Sequence, residues 1–401
     1  MAAARPAIIG VVGAGTMGAG IAQIALEAGH EVVLHDLDEA AIERGRSRIA
    51  DGLARRAARI HADPAAIDDW VARRIAGLRQ TRVLEQLGDE SDVVIEAALE
   101  SLPLKATIFR TLDAVVAAST ILATNTSALS IAAIAAATRH RGRVVGLHFF
   151  NPAPLMDLVE VVAGPATDPG VVVAASDLVR SWGKTAVRSA DSPGFIVNRV
   201  NRPYTIRALR LLEAGVAGIE QIDAAMREAD FRLGPFELMD LTGIDVTYAA
   251  ATGIWEGLGR PERLRPSPIQ AGLIAAGRLG RKTGAGFHRY EAGRRVDGEP
   301  FGPLLAPGAA GPRDGPMALD EIRDRILLPV VDEAFRAAAE GVAVEADIDA
   351  ALQLGAAHPI GPFARAAFAG GPVAVASRLR ELARDDPSLE PSPALDAAAR
   401  R

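Results

Sequence analysis

Apolar and polar positions follow two different regimes along this chain. From residue 7 to residue 189, short β-branched and aliphatic runs recur between longer stretches with helical spacing. The runs Ala7–Val12, Glu31–Asp36, Asp92–Glu96, Ile121–Thr124, Val144–His148, Leu158–Val162 and Thr185–Arg188 read as strands. Strands covered by helices on both faces have no wet side, so they appear as near-continuous apolar runs rather than as alternation. The rhythm predicts βαβ units and a parallel sheet. A charged stretch from Glu39 to about Leu78 breaks it and reads as helix–turn–helix, with "HADP" as the turn.

Past Ser192 the strand signals stop, and residues 191–292 read as an all-helical domain with Gly/Pro turns. Residues 293–317 are too rich in Gly and Pro to hold an element and read as a linker. Helix resumes at Ala318, and residues 318–401 repeat the second domain. "IVNRVNRP" (196–203) returns as "IRDRILLP" (322–329), and "GVAGIEQIDAAM" (215–226) as "GVAVEADIDAAL" (341–352). "LGPF" (233–236) returns as "IGPF" (360–363). Matches in the same order at a nearly constant offset indicate a duplicated helical module.

The first chemistry lies in "VVGAGTMGAGIAQ", where Gly13, Gly15 and Gly18 follow a strand and open a helix. In that setting the first glycine permits a tight turn and the second admits a pyrophosphate close to the backbone. The third lets the helix pack on the strand, with its positive end toward phosphate. The next strand ends in Asp36, placed to accept hydrogen bonds from ribose hydroxyls. No basic residue follows Asp36 in "HDLDEA", and acids at 36 and 38 would repel a 2′-phosphate, which favours NAD over NADP. The predicted fold is an α/β Rossmann-type domain over residues 1–190, followed by the two all-α modules.

Composition removes other functions. Of 401 residues, 49% are hydrophobic and 23% charged, a globular profile. A net charge of -6 with interspersed signs gives no footprint for nucleic acid. There is no cysteine, hence no disulfide and no thiol chemistry. No apolar run reaches the ~18 residues of a membrane span. "MAAARPAIIGVVGAG" lacks a leader pattern, so the expectation is a cytoplasmic protein without metal, membrane or nucleic-acid partner.

The second chemistry lies in "GLHFFNPAPLMDLVEVV". One of only seven histidines, His148, stands where a strand ends, and Glu160 interrupts the next apolar run. Taking the proton of an alcohol while a hydride leaves its carbon needs a base effective near neutrality, and imidazole is one. If the intervening loop reverses the chain, Glu160 comes to lie beside His148 and fixes its tautomer.

Together, "VVGAGTMGAGIAQ", "NTSALSI", "GLHFFNPAPLM", "VEVV", "DSPGFIVNRV", "LGPFELMDLTGIDV" and "RKTGAGFHRY" resemble the 3-hydroxyacyl-CoA dehydrogenases. The resemblance runs from residue 7 to residue 290, with residues 318–375 similar to a second C-terminal module. It implies NAD-linked oxidation of an L-3-hydroxyacyl-CoA to the 3-ketoacyl-CoA, with His148 as general acid/base and Glu160 as its partner. It places Ser127 and Asn198 around the substrate's hydroxyl and thioester, and Glu100, Lys105, Asn151 and Lys282 near the cofactor. It assigns substrate binding and oligomerisation to the first helical module.

Arg55, Arg56 and Arg59 in "LARRAARI" are candidates for the phosphates of CoA. "NRVNRPY" and "FRLGPFELMDLTG" look closest to the branch acting in phenylacetate-type aromatic degradation, whose acyl chain ends in a second carboxylate. Arg202 and Arg232 are candidates to hold that group. In the repeat Asn198 aligns with Asp324 and Glu237 with Ala364, so the second copy is expected not to catalyse. Related single-module chains dimerise through this domain, so the expectation is a homodimer or a pseudo-dimeric monomer. The rival readings are a gulonate-type sugar-acid dehydrogenase and a non-catalytic NAD-binding protein on the same scaffold.

Overall fold

The computed structural model describes residues 7–296 and 317–400. They form two compact units that divide between Phe195 and Ile196. The first is built on an eight-stranded sheet: β1 (Ile8–Val12), β2 (Glu31–His35), β3 (Leu78–Thr81), β4 (Val93–Glu96), β5 (Ile121–Thr124), β6 (Val144–Phe149), β7 (Leu158–Ala163) and β8 (Thr185–Ala190). The spatial order is β3-β2-β1-β4-β5-β6-β7-β8. Neighbours among the first six strands run parallel, β7 is antiparallel to β6, and β8 is parallel to β7. One sheet edge therefore collects the C-terminal ends of β1 to β6 and the N-terminal end of β7.

Seven helices cover this sheet: α1 (Thr16–Glu27), α2 (Glu39–Ile60), α3 (Pro64–Ile75), α4 (Leu84–Glu90), α5 (Leu102–Val115), α6 (Ile131–Ala135) and α7 (Pro169–Ser181). Ile9, Val11, Val32, Leu34 and Ile95 point into a core shared with α1, α2, α3 and α7. Val12, Val33 and Val94 point the other way, into a core with α4, α5 and α6. This is the two-sided burial that the continuous apolar runs anticipate.

The helix–turn–helix expectation corresponds to α2 and α3, with Asp63 accepting a hydrogen bond from Ala65 N and Pro64 in the first turn. The expected helical stretch ends differently, because Leu78 opens edge strand β3. This strand has one neighbour and presents Arg79 and Gln80 to solvent, so it carries no apolar run.

The second unit contains α8 (Val197–Val200), α9 (Arg202–Glu213), α10 (Ile219–Glu228), α11 (Pro235–Thr242), α12 (Ile244–Gly257) and α13 (Pro268–Ala275). β9 (Arg289–Glu291) pairs in a hairpin with β10 (Arg294–Val296), and β10 occupies the first residues of the expected linker. The rest of that linker lies outside the described residues, apart from Met317 at its end. The chain resumes with α14 (Leu319–Ala339), α15 (Glu345–Ala356), α16 (Pro362–Phe368), α17 (Pro372–Ala383) and α18 (Pro393–Ala399).

The repeat is structural. In each copy an aspartate reaches the helix that begins at Gly-Pro-Phe: Asp223 accepts from Phe236 N at 3.0 Å, and Asp349 accepts from Phe363 N at 2.7 Å. A Cβ at Gly234 or Gly361 would collide with that aspartate, which explains why Asp and Gly are shared by the copies. The copies pack within one unit rather than as separate domains. Phe231 and His358, each three residues before its Gly-Pro-Phe, meet with ring centroids 4.9 Å apart. Arg199 pairs with Glu333 at 3.0 Å. The equivalent positions on the other side are both arginine, Arg325 and Arg207, and these turn instead to Asp385, Asp386 and Glu321.

Among the described residues no helix is long and apolar enough to cross a membrane.

Candidate active site

The glycine-rich turn stands at the end of β1. Gly13 has φ +102°, open to glycine and costly for other residues, and its Cβ would lie 2.7 Å from the Ala97 carbonyl oxygen. A Cβ at Gly18 would strike the Gly13 carbonyl oxygen, whereas one at Gly15 would meet nothing within 4 Å. Open space therefore lies beside Gly15, where α1 begins without a side-chain cap. Asp36, at the end of β2, accepts from Ala14 N at 2.9 Å and from Asp38 N at 3.2 Å, which ties the acid to the turn. An uncapped helix start, space for phosphate and an anchored acid on the adjoining strand together fit a dinucleotide.

The same edge carries the histidine. His148 and Glu160 are directly opposed in the antiparallel pairing of β6 and β7. His148 is 6% exposed and Glu160 is fully buried. His148 Nδ1 stands 2.6 Å from Glu160 Oε2. With the carboxylate ionised, Nδ1 carries the proton and Nε2 is left as the basic nitrogen. The rings of Phe150 and Phe195, 4.5 and 5.8 Å away between centroids, flank the imidazole and limit its motion.

A second polar network lines the ends of β4 and β5. Glu96, fully buried, accepts from Lys105 Nζ at 2.6 and 2.8 Å and from Thr124 Oγ1 at 2.7 Å. Lys105 is 1% exposed and also lies 3.4 Å from Glu100. Its ammonium is thus held by Glu96 inside the fold.

Glu100 gathers the loop after β5, accepting from Thr126 Oγ1 at 2.6 Å, Ser127 N at 3.0 Å and Ala128 N at 3.2 Å. Ser127 Oγ lies 3.4 Å from the same oxygen and is exposed. Asn125 links this loop to the histidine strand, its Oδ1 accepting from Phe149 N at 2.8 Å. Sequence reasoning missed Glu96, Asn125 and Phe195. Glu96 carries a weaker form of the Glu160 signal, an acid closing an apolar strand.

Asn151 begins the exposed loop between β6 and β7, and Lys184 holds that loop by donating to the carbonyls of Pro154 and Met156 at 3.1 and 2.9 Å. A groove of about 630 Å³ runs between this loop and α1, with Arg48, Arg55, Arg56 and Arg59 of α2 along its wall. Asn198 and Lys282 belong to the helical unit. Asn198 is half-buried on α8. Lys282 is bound to both oxygens of Asp245 at 2.6 and 2.7 Å, and this hydrogen bond holds the Asp245 carboxyl below its ordinary range.

Within the first unit the structure brings together, on one edge, the glycine turn, Asp36, Glu100, Ser127, His148 and Glu160. This edge is that of a dinucleotide-binding protein with an oriented imidazole base. The chain belongs to the 3-hydroxyacyl-CoA dehydrogenase family. Residues 8–192 match its NAD binding domain, and residues 194–290 and 322–400 match its C-terminal domain. NAD is accordingly its cofactor, and both helical copies derive from the same domain type.

Among curated proteins, the chain is 36% identical to 3-hydroxyadipyl-CoA dehydrogenase of Escherichia coli (strain K12), over 90% of each chain. It is 41% identical to the mitochondrial hydroxyacyl-coenzyme A dehydrogenase of Sus scrofa, over 70% of this chain and 90% of that one. A crystal structure of 3-hydroxybutyryl-CoA dehydrogenase from Escherichia coli K12 superimposes with a TM-score of 0.86 at 33% identity, covering 99% of this chain and 98% of the other.

Proposed function

We propose that this chain catalyses the reversible, NAD-dependent oxidation of an L-3-hydroxyacyl-CoA to the 3-ketoacyl-CoA, with His148 as the general acid/base. The observation that carries the reading is the buried His148–Glu160 pair, 2.6 Å apart at the ligand-binding edge of the sheet. NAD, when bound, supplies the hydride acceptor. His148 Nε2 takes the proton of the 3-hydroxyl as the carbon–hydrogen bond gives up its electron pair. The imidazolium that forms is stabilised by Glu160, whose carboxyl oxygen lies 2.6 Å from Nδ1. In the reverse direction the imidazolium returns that proton to the carbonyl oxygen.

The family likeness gives Ser127 and Asn198 the hydroxyl and thioester, and gives Glu100, Lys105, Asn151 and Lys282 the cofactor side, where the glycine turn also puts Asp36. Lys105 contributes by fixing Glu96 and Glu100. The arginines of α2, lining a groove beside the loop that follows His148, suit the phosphates of CoA. The two helical copies, packed face to face with unlike charges on one side, support a pseudo-dimeric arrangement within one chain.

The test is formation of NADH from NAD and L-3-hydroxybutyryl-CoA by the full chain, with the CoA-free hydroxy acid as control. Turnover of the thioester with none of the free acid is the expected result. Turnover of CoA-free sugar acids would favour the gulonate-type reading instead, and NAD binding without turnover would refute catalysis.

A further inference from the structure

The two helical copies meet through arginines, and the two sides of that meeting are not alike. On one side Arg199 of the first copy pairs with Glu333 of the second at 3.0 Å, and Arg263 reaches the same carboxylate at 2.7 Å. Moving each position by the offset of 126 that relates the copies puts Arg325 in place of Arg199 and Arg207 in place of Glu333. Cation therefore meets cation there, and both are buried. Beside them the helical unit holds an open cavity of about 570 Å³. Arg207, Arg210 and Leu211 of α9, with Ala214 just past its end, line it from one helix face. Arg325 of α14 and Arg265 complete a set of four guanidiniums.

Three of the four acids on the wall are engaged by these cations. Asp386 accepts from Arg207 Nη2 at 2.5 Å and from Ser388 N at 3.1 Å. Glu262 serves both Arg210, at 3.2 Å, and Arg265, at 3.0 Å. Arg325 holds Glu321 at 2.7 Å and reaches Asp385 at 3.5 Å. Glu213 is the fourth acid. Donors are left over. Among the described residues Nη1 of Arg325, Nη1 of Arg210 and both terminal nitrogens of Arg265 have no hydrogen-bond or ion-pair partner. The guanidiniums also act on one another. Burial lowers the proton affinity of Arg207, Asp386 works against that shift, and the charges of Arg210 and Arg325 deepen it. Open N–H groups from several guanidiniums at one place are the complement of an oxyanion.

We infer that this cavity is a second anion site, made wholly of residues of the helical unit, which takes a phosphate-bearing small molecule on Arg210, Arg265 and Arg325. Its volume lies within the ~300–1,000 Å³ of small-molecule sites. Leu211, Val216 and Pro387 offer apolar surface to the rest of such a molecule. Phosphate suits the wall better than a single carboxylate, because its oxygens can take N–H groups from more than one guanidinium at once. The bound anion joins α9 of the first copy to α14 of the second where cation faces cation. Binding to the folded unit alone then stabilises it by mass action. The inference does not depend on the proposed reaction.

The probe is inorganic pyrophosphate, titrated by calorimetry into the full chain with NADH and CoA at saturation, so that the sites proposed for those ligands are filled. The expected result is saturable binding at one site per chain, with a rise in melting temperature over the same range of concentration. Arg265→Ala and Arg210→Ala each weaken binding by roughly 10-fold or more, the loss of a hydrogen bond to a charged group. Arg55→Ala, on α2, leaves it unchanged. Arg265 is exposed, so its replacement spares the fold, and the wild-type titration is decisive by itself. Absence of binding to wild type, binding that neither helical-unit substitution weakens, or binding lost in Arg55→Ala each overturns the inference.

Discussion

Replacing His148 by glutamine lowers kcat for the hydroxyacyl-CoA by roughly 10²–10⁴-fold, with much smaller changes in KM for ester and for NAD. Glutamine approximates the reach of imidazole and still hydrogen-bonds, but it cannot take up a proton near neutrality. The glycine turn and Asp36 lie on other strands and keep their contacts, so cofactor binding persists. Steady-state rates of NADH formation, with NADH binding measured by fluorescence titration on the same preparation, separate the two effects. A variant that keeps most of its rate would remove His148 from the chemistry.

Exchanging Glu333 for glutamine destabilises the helical unit by ~3–5 kcal/mol, a loss of about 10 °C in its melting temperature. Glu333 is 1% exposed and accepts from Arg199 at 3.0 Å and from Arg263 at 2.7 and 3.1 Å. It therefore joins α8 of the first copy to α14 of the second. Glutamine keeps the shape but withdraws a charge from the 1% exposed Arg199, which also pairs with Glu340 at 2.7 Å, and from Arg263. Thermal unfolding followed by circular dichroism provides the check. A variant as stable as wild type would mean that this buried cluster does not hold the copies together.

The sheet was largely legible because strands buried on both faces must be apolar, and β1, β2, β4, β5, β6 and β7 announce themselves that way. β3 did not, since an edge strand with solvated Arg79 and Gln80 gives no such signal. His148 and Glu160 were legible as an oddity, a base at a strand end and an acid within an apolar run. Their contact needed the chain reversal that sets the strands antiparallel.

Glu96 shows the limit of this signal. As the last residue of its strand it reads equally well as a solvated acid, and its burial depends on Lys105, nine residues on. Asn125 supports the backbone of β6 through a contact that follows only from strand adjacency. For Arg202, sequence offers a cation, whereas its burial and lack of a carboxylate emerge only from packing.

The most direct measurement of the proton-transfer account is the nitrogen-15 NMR spectrum of the His148 ring, assigned by its disappearance in His148→Gln. The account predicts that in the neutral form Nδ1 carries the proton, strongly deshielded by the short bond to Glu160, while Nε2 is bare. A ring protonated at Nε2 with a bare Nδ1 would contradict it.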